Sequence, residues 1–208
     1  MKTTKPDVPM SVPREAALLV IDFQKAIDHP DWGERNNPDA ESNVASLLQA
    51  WRSTLRPIYH VRHDSLEPNS HYRSGQPGNE FKPEAQPGPG EIVISKRTNS
   101  AFIGTDLETR LRTEGVRALF IVGVITNNSV ESTVRMAGNL GFETYLVDDS
   151  AFTFGRRDWQ GIWRTAEEVH AMSLANLSGE YCSVVRTAQI LAALACQDPT
   201  SSLPACLP

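Results

Sequence analysis

The chain has 208 residues, 40% hydrophobic and 22% charged, which suits one compact α/β domain whose core needs no disulfide or metal staples. A formal net charge of −5 leaves no electrostatic footprint for nucleic acid, and no Lys/Arg cluster marks a membrane surface. No apolar run approaches the length of a membrane span.

Residues 1–15 hold three prolines and no apolar segment of signal-peptide type, so they are expected to form an extended arm before a single domain over 1–208. Three cysteines, Cys182, Cys196 and Cys206, lack metal-ligand spacing; the odd count predicts reduced thiols and a cytoplasmic location. The Pro/Ser-rich residues 197–208 are expected to be a flexible tail.

Residues 16–22, AALLVID, read as a buried central strand closed by Asp22, which either caps the next segment or points into a site. A polar loop over 28–38 holds Trp32. Val44, Leu47, Leu48 and Trp51 then mark an amphipathic helix over 40–51, with Asp39 near its N-cap. The second strand is 55–61. His60 and His63, three apart on a strand, point to opposite faces, which argues against a shared metal. Residues 64–90 concentrate glycine and proline, but Tyr72, Phe81, His71, Arg73 and Lys82 suit a loop folded over a site better than a linker. Residues 91–95 are the third strand, and Lys96 follows directly. The segment Ser100-Ala101-Phe102 suits a pocket wall, and Thr105 caps a helix through Leu107 and Leu111 that ends at Gly115.

Residues 118–150 organise the rest. The apolar run 119–124 is a buried strand, and Thr126, Asn127 and Asn128 break it with turn chemistry. Val130, Val134, Ala137 and Leu140 recur at helical spacing, Gly141 stops the helix, and 142–147 is the fifth strand. Ser129 thus sits where a strand meets a helix N-terminus, where unpaired N–H groups and the helix dipole favour a nucleophile or an oxyanion. Simple helix capping by Asn127, Asn128 or Ser129 is the alternative. Further on, Trp159 and Trp163 share one short loop and are expected to be buried in a subunit interface or against the pocket. Thr165 and Glu168 form a capping box for a helix burying Val169, Met172, Leu174 and Leu177; residues 181–185 are a sixth strand and 188–195 a last helix.

Strands alternating with helices predict a three-layer, Rossmann-like α/β fold. Its six-stranded, mostly parallel sheet should have the order 3-2-1-4-5-6, with helices on both faces. Ligands then bind where the order reverses, between strands 1 and 4, which brings Asp22 and Ser129 together. No G-x-G-x-x-G follows strand 1 and no P-loop is present, so no cofactor is expected. The absence of G-x-S-x-G disfavours an α/β-hydrolase.

LLVIDFQ, ISKRTNSAF and GVITNNSVESTVRMA together resemble the isochorismatase-like cysteine hydrolases, over about residues 16–187. That group includes nicotinamidases, N-carbamoylsarcosine amidases, ureidoacrylate and biuret hydrolases, and streptothricin hydrolases. The resemblance implies hydrolysis of an amide, lactam or ureido C–N bond in a small molecule. By it, Asp22 is the acid/base, Lys96 its electrostatic partner, and Ser129 stands at the nucleophilic cysteine. It also implies a cis peptide between Val124 and Ile125, with the N–H groups of Ile125 and Ser129 as oxyanion hole.

Phe23, Gln24, Trp32, Phe102 and Asn128 are the candidate pocket residues. Nicotinamidases carry an Asp-x-His metal pattern and a further His after strand 2; His60-Val-Arg-His63-Asp64 lacks that order, so no metal is expected. Serine in place of cysteine reads as an inactivating Cys-to-Ser replacement or as a natural member with altered chemistry. The alternatives are a vinyl-ether hydrolase of isochorismatase type using the aspartate as acid, and a non-catalytic binding protein. A homo-oligomer, dimer or tetramer, is expected, with no nucleic-acid or membrane partner.

Overall fold

A computed structural model of the chain describes residues 10–197. In chain order the elements are β1 (Ala17–Ile21), α1 (Ala40–Ser53), β2 (Ile58–His63), β3 (Ile92–Lys96), α2 (Leu107–Thr113), β4 (Ala118–Val124) and α3 (Glu131–Asn139). Then come β5 (Glu143–Phe152), β6 (Arg156–Arg157), β7 (Trp163–Arg164), α4 (Ala166–Leu177), β8 (Ser183–Val185) and α5 (Thr187–Gln197). Six strands form one sheet in the order β3-β2-β1-β4-β5-β8, every neighbouring pair parallel. This is the predicted order, with a small antiparallel hairpin, β6–β7, inserted before the last strand.

Strand alternation divides the core in two. Leu18 and Val20 of β1 face the layer made by α1 and α5, where Leu47, Leu48, Trp51 and Ile190 are buried. Ala17, Leu19 and Ile21 face the layer of α2, α3 and α4, with Leu107, Leu111, Val134 and Leu177. β4 is buried at all seven positions, as an unbroken apolar run in a covered parallel sheet requires.

β1 and β4 approach closely just below their carboxyl ends. Gly123 has φ 121, and a Cβ there would run into the Ile21 backbone, 2.7 Å from its nitrogen and closer still to its carbonyl oxygen. Gly123→Ala should therefore lower unfolding stability by about 2–4 kcal/mol, combining a left-handed φ with overpacking. Urea denaturation checks this, and a loss under about 0.5 kcal/mol, the range of surface changes, contradicts the described contact.

Several expectations need correction. β5 runs to Phe152 rather than stopping at 147, because the carboxylates of its second half find partners: Asp149 Oδ1 accepts from Thr187 N–H (2.9 Å) and from the Thr187 hydroxyl (2.8 Å). α4 buries Ala166, His170, Ser173 and Leu177; of the predicted stripe only Leu177 is buried. Met172 is 63% exposed, and Val169 and Leu174 are half-buried. Hydrophobicity misplaced this face because its inward polar groups are satisfied, as described below for His170 and Ser173. Trp159 and Trp163 belong to the β6–β7 hairpin and are 93% and 59% exposed, so neither is buried against the pocket.

Cys196 is disulfide-bonded, against the expectation of reduced thiols, while Cys182 is free and buried. Of the expected arm, Val12 is buried, and Arg56 donates to Val12 O (2.9 Å) and Pro13 O (3.1 Å), while Ser11, Arg14 and Glu15 are exposed. Residues 1–9 and 198–208 lie outside the described residues. Among the described residues, no helix is long and apolar enough to cross a membrane.

Candidate active site

β1 delivers Asp22 to the carboxyl edge of the sheet in a left-handed conformation, φ 51, which residues other than glycine seldom adopt and which concentrates at functional sites. Asp22 N–H donates to Val61 O (2.9 Å), fixing it against β2. Lys96, the last residue of β3, is fully buried, and its long stem reaches inward. Its Nζ donates to Asp22 Oδ2 (2.6 Å), Thr98 O (3.0 Å) and Ser129 Oγ (3.1 Å). His63 Nδ1 lies 3.4 Å from the same nitrogen.

Ser129 is carried by a short π turn, Thr126–Val130, between β4 and α3. The Val124–Ile125 peptide is cis, and the Asn128 and Val130 N–H groups both donate to Ile125 O (3.0 and 3.3 Å). Single π turns recur at functional sites. A polar buttress stands behind this one. Thr126 Oγ1 pairs with His170 Nδ1 (2.9 Å), whose Nε2 meets Asp148 Oδ1 (2.9 Å). The Ser173 hydroxyl donates to Glu131 Oε2 (2.6 Å) at the start of α3. These bonds keep His170 and Ser173 inward on α4. Asn127 turns away from the site and accepts from the Thr153 hydroxyl (2.5 Å).

Burial pushes the Asp22 carboxyl above its ordinary range, and the neighbouring Lys96 offsets this only in part. Such a carboxyl takes up a proton at milder pH than a solvated one, which suits acid/base work. Asp22 Oδ1 has no hydrogen-bond partner among the described residues. Ser129 Oγ accepts from Lys96, so its own proton is available to a base. Burial also lowers His63, and Lys96 lowers it further, both favouring the neutral imidazole.

Asp22, His63, Ile125, Asn128 and Ser129 share a cavity of about 410 Å³ with Trp32 and Tyr72. Trp32 is held by its indole N–H to Ala26 O (2.9 Å) and by stacking on Phe154 (5.6 Å). The segment 64–90 folds over the site as expected, with Asn69, Ser70, His71 and Tyr72 on the cavity wall. Asn79 Nδ2 ties it down by donating to Tyr72 O (2.8 Å) and His63 O (2.9 Å).

Three predicted pocket residues do not line this cavity. Phe23 is fully buried in the core, edge-on to Phe152 (6.0 Å), because the left-handed turn at Asp22 returns the chain to the protein interior. Phe102 is half-buried and stacks on Phe142 (6.0 Å) on the α2–α4 side of the sheet. Gln24 is spent on backbone: it donates to His63 O (3.1 Å) and Asn79 O (2.9 Å) and accepts from His63 N–H (2.7 Å).

His63 was not among the expected site residues, and Tyr72 was expected only as part of the loop folded over the site. The rule applied to Asp22 reaches His63 as well, since it ends β2, the neighbour of β1. His60 points the other way, as the strand spacing predicted, and meets Glu91 Oε2 (2.7 Å). Tyr72 carried no comparable signal, because a 27-residue irregular loop has no period to read.

Residues 16–189 match the family model of the isochorismatase domain. A crystal structure of an isochorismatase-family protein from Chromobacterium violaceum ATCC 12472 is 60% identical, covers 90% of this chain and 97% of its own, and superposes with a TM-score of 0.88. An uncharacterised isochorismatase-family protein of Bacillus subtilis (strain 168) is 38% identical, over 84% of this chain and 94% of its own. Nicotinamidase 3 of Arabidopsis thaliana is 30% identical, over 82% of this chain and 84% of its own. With the parallel sheet and the site at its switch point, these likenesses establish that the chain belongs to the isochorismatase family of hydrolases.

Proposed function

We propose that the protein hydrolyses an amide, lactam or ureido C–N bond of a small molecule at the Asp22–Lys96–Ser129 centre. The observation that carries this reading is the buried Lys96 Nζ bridging the Asp22 carboxylate and the Ser129 hydroxyl, both of which line one cavity. Asp22 takes the proton of the residue-129 nucleophile as that atom attacks the substrate carbonyl. The resulting oxyanion rests on the N–H groups of Ile125 and Ser129. Asp22 returns the proton to the leaving nitrogen, and the amine departs. Water then attacks the acyl-enzyme with Asp22 again as base, restoring the free side chain. Trp32 and Tyr72 supply flat walls, and Asn128 supplies amide hydrogen bonds for a planar carbamoyl group.

The test is ammonia or amine release from a panel of small amides, ureas and lactams. Release by the purified protein that vanishes in Asp22→Asn supports the reading. Tight binding of panel members with no release, even after a cysteine is restored at 129, instead supports a binding protein. The raised Asp22 also favours a second reading, protonation of a vinyl ether. That chemistry would release an alcohol and a carbonyl compound with no nitrogen product.

A homo-oligomer is part of this proposal. Trp159 (93% exposed), Ile162 (50%) and Trp163 (59%) are exposed apolar residues on the hairpin segment, and Met172 (63%) is exposed on α4. Met172 lines a cavity of about 700 Å³ between the hairpin and α4 that reaches Asn127 in the nucleophile turn. Aromatic residues exposed together are typical of contact surfaces. Light scattering should give a dimer or larger species, and Trp159→Glu with Trp163→Glu should dissociate it. A wild-type monomer at all concentrations contradicts this.

A further inference from the structure

At the mouth of the catalytic cavity, two loops far apart in sequence place His29, Asp31 and His71 side by side. One ligand atom from each lies within 4.8 Å of the others. His29 Nδ1 is 3.3 Å from Asp31 Oδ2, and His71 Nε2 is 3.9 Å from the same oxygen. Two ligands about 2.1 Å from a tetrahedral ion stand about 3.4 Å apart, close to both separations. We propose that His29, Asp31 and His71 form a binding site for a divalent transition-metal ion of the zinc type at the entrance to the cavity.

Both backbones that carry these ligands are anchored. His29 and Asp31 flank Pro30, which opens a 3₁₀ turn closed by Trp32, and the Trp32 indole is bonded to Ala26 O. His71 precedes the buried Tyr72, whose carbonyl accepts from Asn79 and from Ser65 N–H (3.2 Å). The fold therefore sets the distance between the two loops, while the ligand side chains keep room to adjust. The imidazoles now stack with centroids 3.6 Å apart and planes 19° apart. Capturing an ion requires them to tilt so that their lone pairs converge with Asp31. Their side-chain exposures, 37% and 41%, leave space for that motion. His29 Nδ1 also accepts a long 3.3 Å hydrogen bond from Asp31 N–H, which the metal would replace.

The ligand chemistry selects the ion. Two imidazoles and one carboxylate suit zinc, nickel, cobalt or copper, whereas magnesium and calcium take oxygen ligands. This is not the site that the family resemblance placed after β2. Two of its three ligands precede β2, in the connection between β1 and α1, and His63 and Asp64 take no part. Three protein ligands leave a fourth position open. Asp31 and His71 line the same cavity as Asp22 and Ser129. A bound ion would pin the 64–90 segment to the β1–α1 loop and present its open position to whatever enters. Ion binding by these three side chains does not depend on the hydrolase activity.

The experiment uses the full chain, freed of metal with a chelator and then titrated with Zn²⁺ by calorimetry, with bound zinc measured after equilibrium dialysis. One equivalent should bind, protecting the 64–90 segment from proteolysis. His29→Ala and His71→Ala should each weaken binding by more than the roughly 10–100-fold typical of losing an outer-shell partner. His29→Asn and His71→Asn should do the same while melting like the parent, which separates ligand loss from misfolding. His63→Ala should leave zinc affinity unchanged. Anomalous scattering at the zinc edge should place the ion between the three side chains. The proposal is overturned if no stoichiometric zinc binds, if binding survives in both histidine variants, or if it is lost only in His63→Ala.

Discussion

Ser129→Cys is expected to raise amide hydrolysis by roughly 10²-fold or more, the scale on which a well-matched base acts. A thiol has a pKa of about 8.5, and a helix N-terminus beside a lysine lowers it further. The position offers both: residue 129 lies in the turn that leads into α3, and Lys96 Nζ is 3.1 Å from its side-chain oxygen. Asp22, already pushed upward by burial, can take a thiol proton at modest cost. A serine hydroxyl is a far weaker acid than a thiol, and its alkoxide is far more basic than any carboxylate, so the Ser129 form should bind substrate, turn over slowly and accumulate an ester adduct visible by intact mass. The competing outcome has a specific structural basis in His63, an imidazole in the same cavity, 3.4 Å from Lys96, whose pKa burial lowers. If the Ser129 form is faster than Ser129→Cys on every substrate cleaved, serine is the native nucleophile and His63 becomes the base to test. The reading of residue 129 as a lost cysteine would then be abandoned.

The sheet was readable from sequence because its signals are long and mutually consistent. Residues 16–22 and 119–124 are apolar runs that only a doubly covered parallel sheet explains, and the order of six such strands follows from one topological rule. The same rule brings Asp22 and Ser129 together at the switch point. Lys96 needed the family resemblance, since a lysine two strands away has no intrinsic reason to turn inward. What failed depended on polar groups satisfied at a distance. His170 and Ser173 sit on the buried face of α4 only because Thr126, Asp148 and Glu131 meet them, and no hydrophobic period contains that information. Phe23 failed for a related reason: the left-handed turn at Asp22 reverses which neighbour faces the cavity, and a single φ leaves no trace in composition. The His29, Asp31 and His71 cluster was invisible because its parts lie on loops whose meeting only the folded chain decides.

Asp22→Asn should abolish turnover, with a loss of roughly 10²–10⁴-fold in kcat for a single acid/base group and little change in KM. Asparagine keeps the shape and can still accept from Lys96 through its amide oxygen, so circular dichroism should show the fold unchanged. It cannot take a proton from the nucleophile or return one to the leaving nitrogen. The pH profile of the active form provides a second, independent check. Asp22 must be ionised to act as base, and its folded-state pKa lies above the ordinary value of 3.8, because burial outweighs the attraction of Lys96. The base form is therefore lost as pH falls through that raised value, and the acid limb of kcat/KM should sit well above the range of a solvated aspartate. Removing the charge of Lys96 with Lys96→Met takes away the main opposing influence, so the limb should move to still higher pH in whatever activity remains. A limb near pH 4 in the parent, or a rate in Asp22→Asn within a few-fold of the parent, would take Asp22 out of the proton path and leave His63 as the titrating group nearest to Ser129's lysine partner.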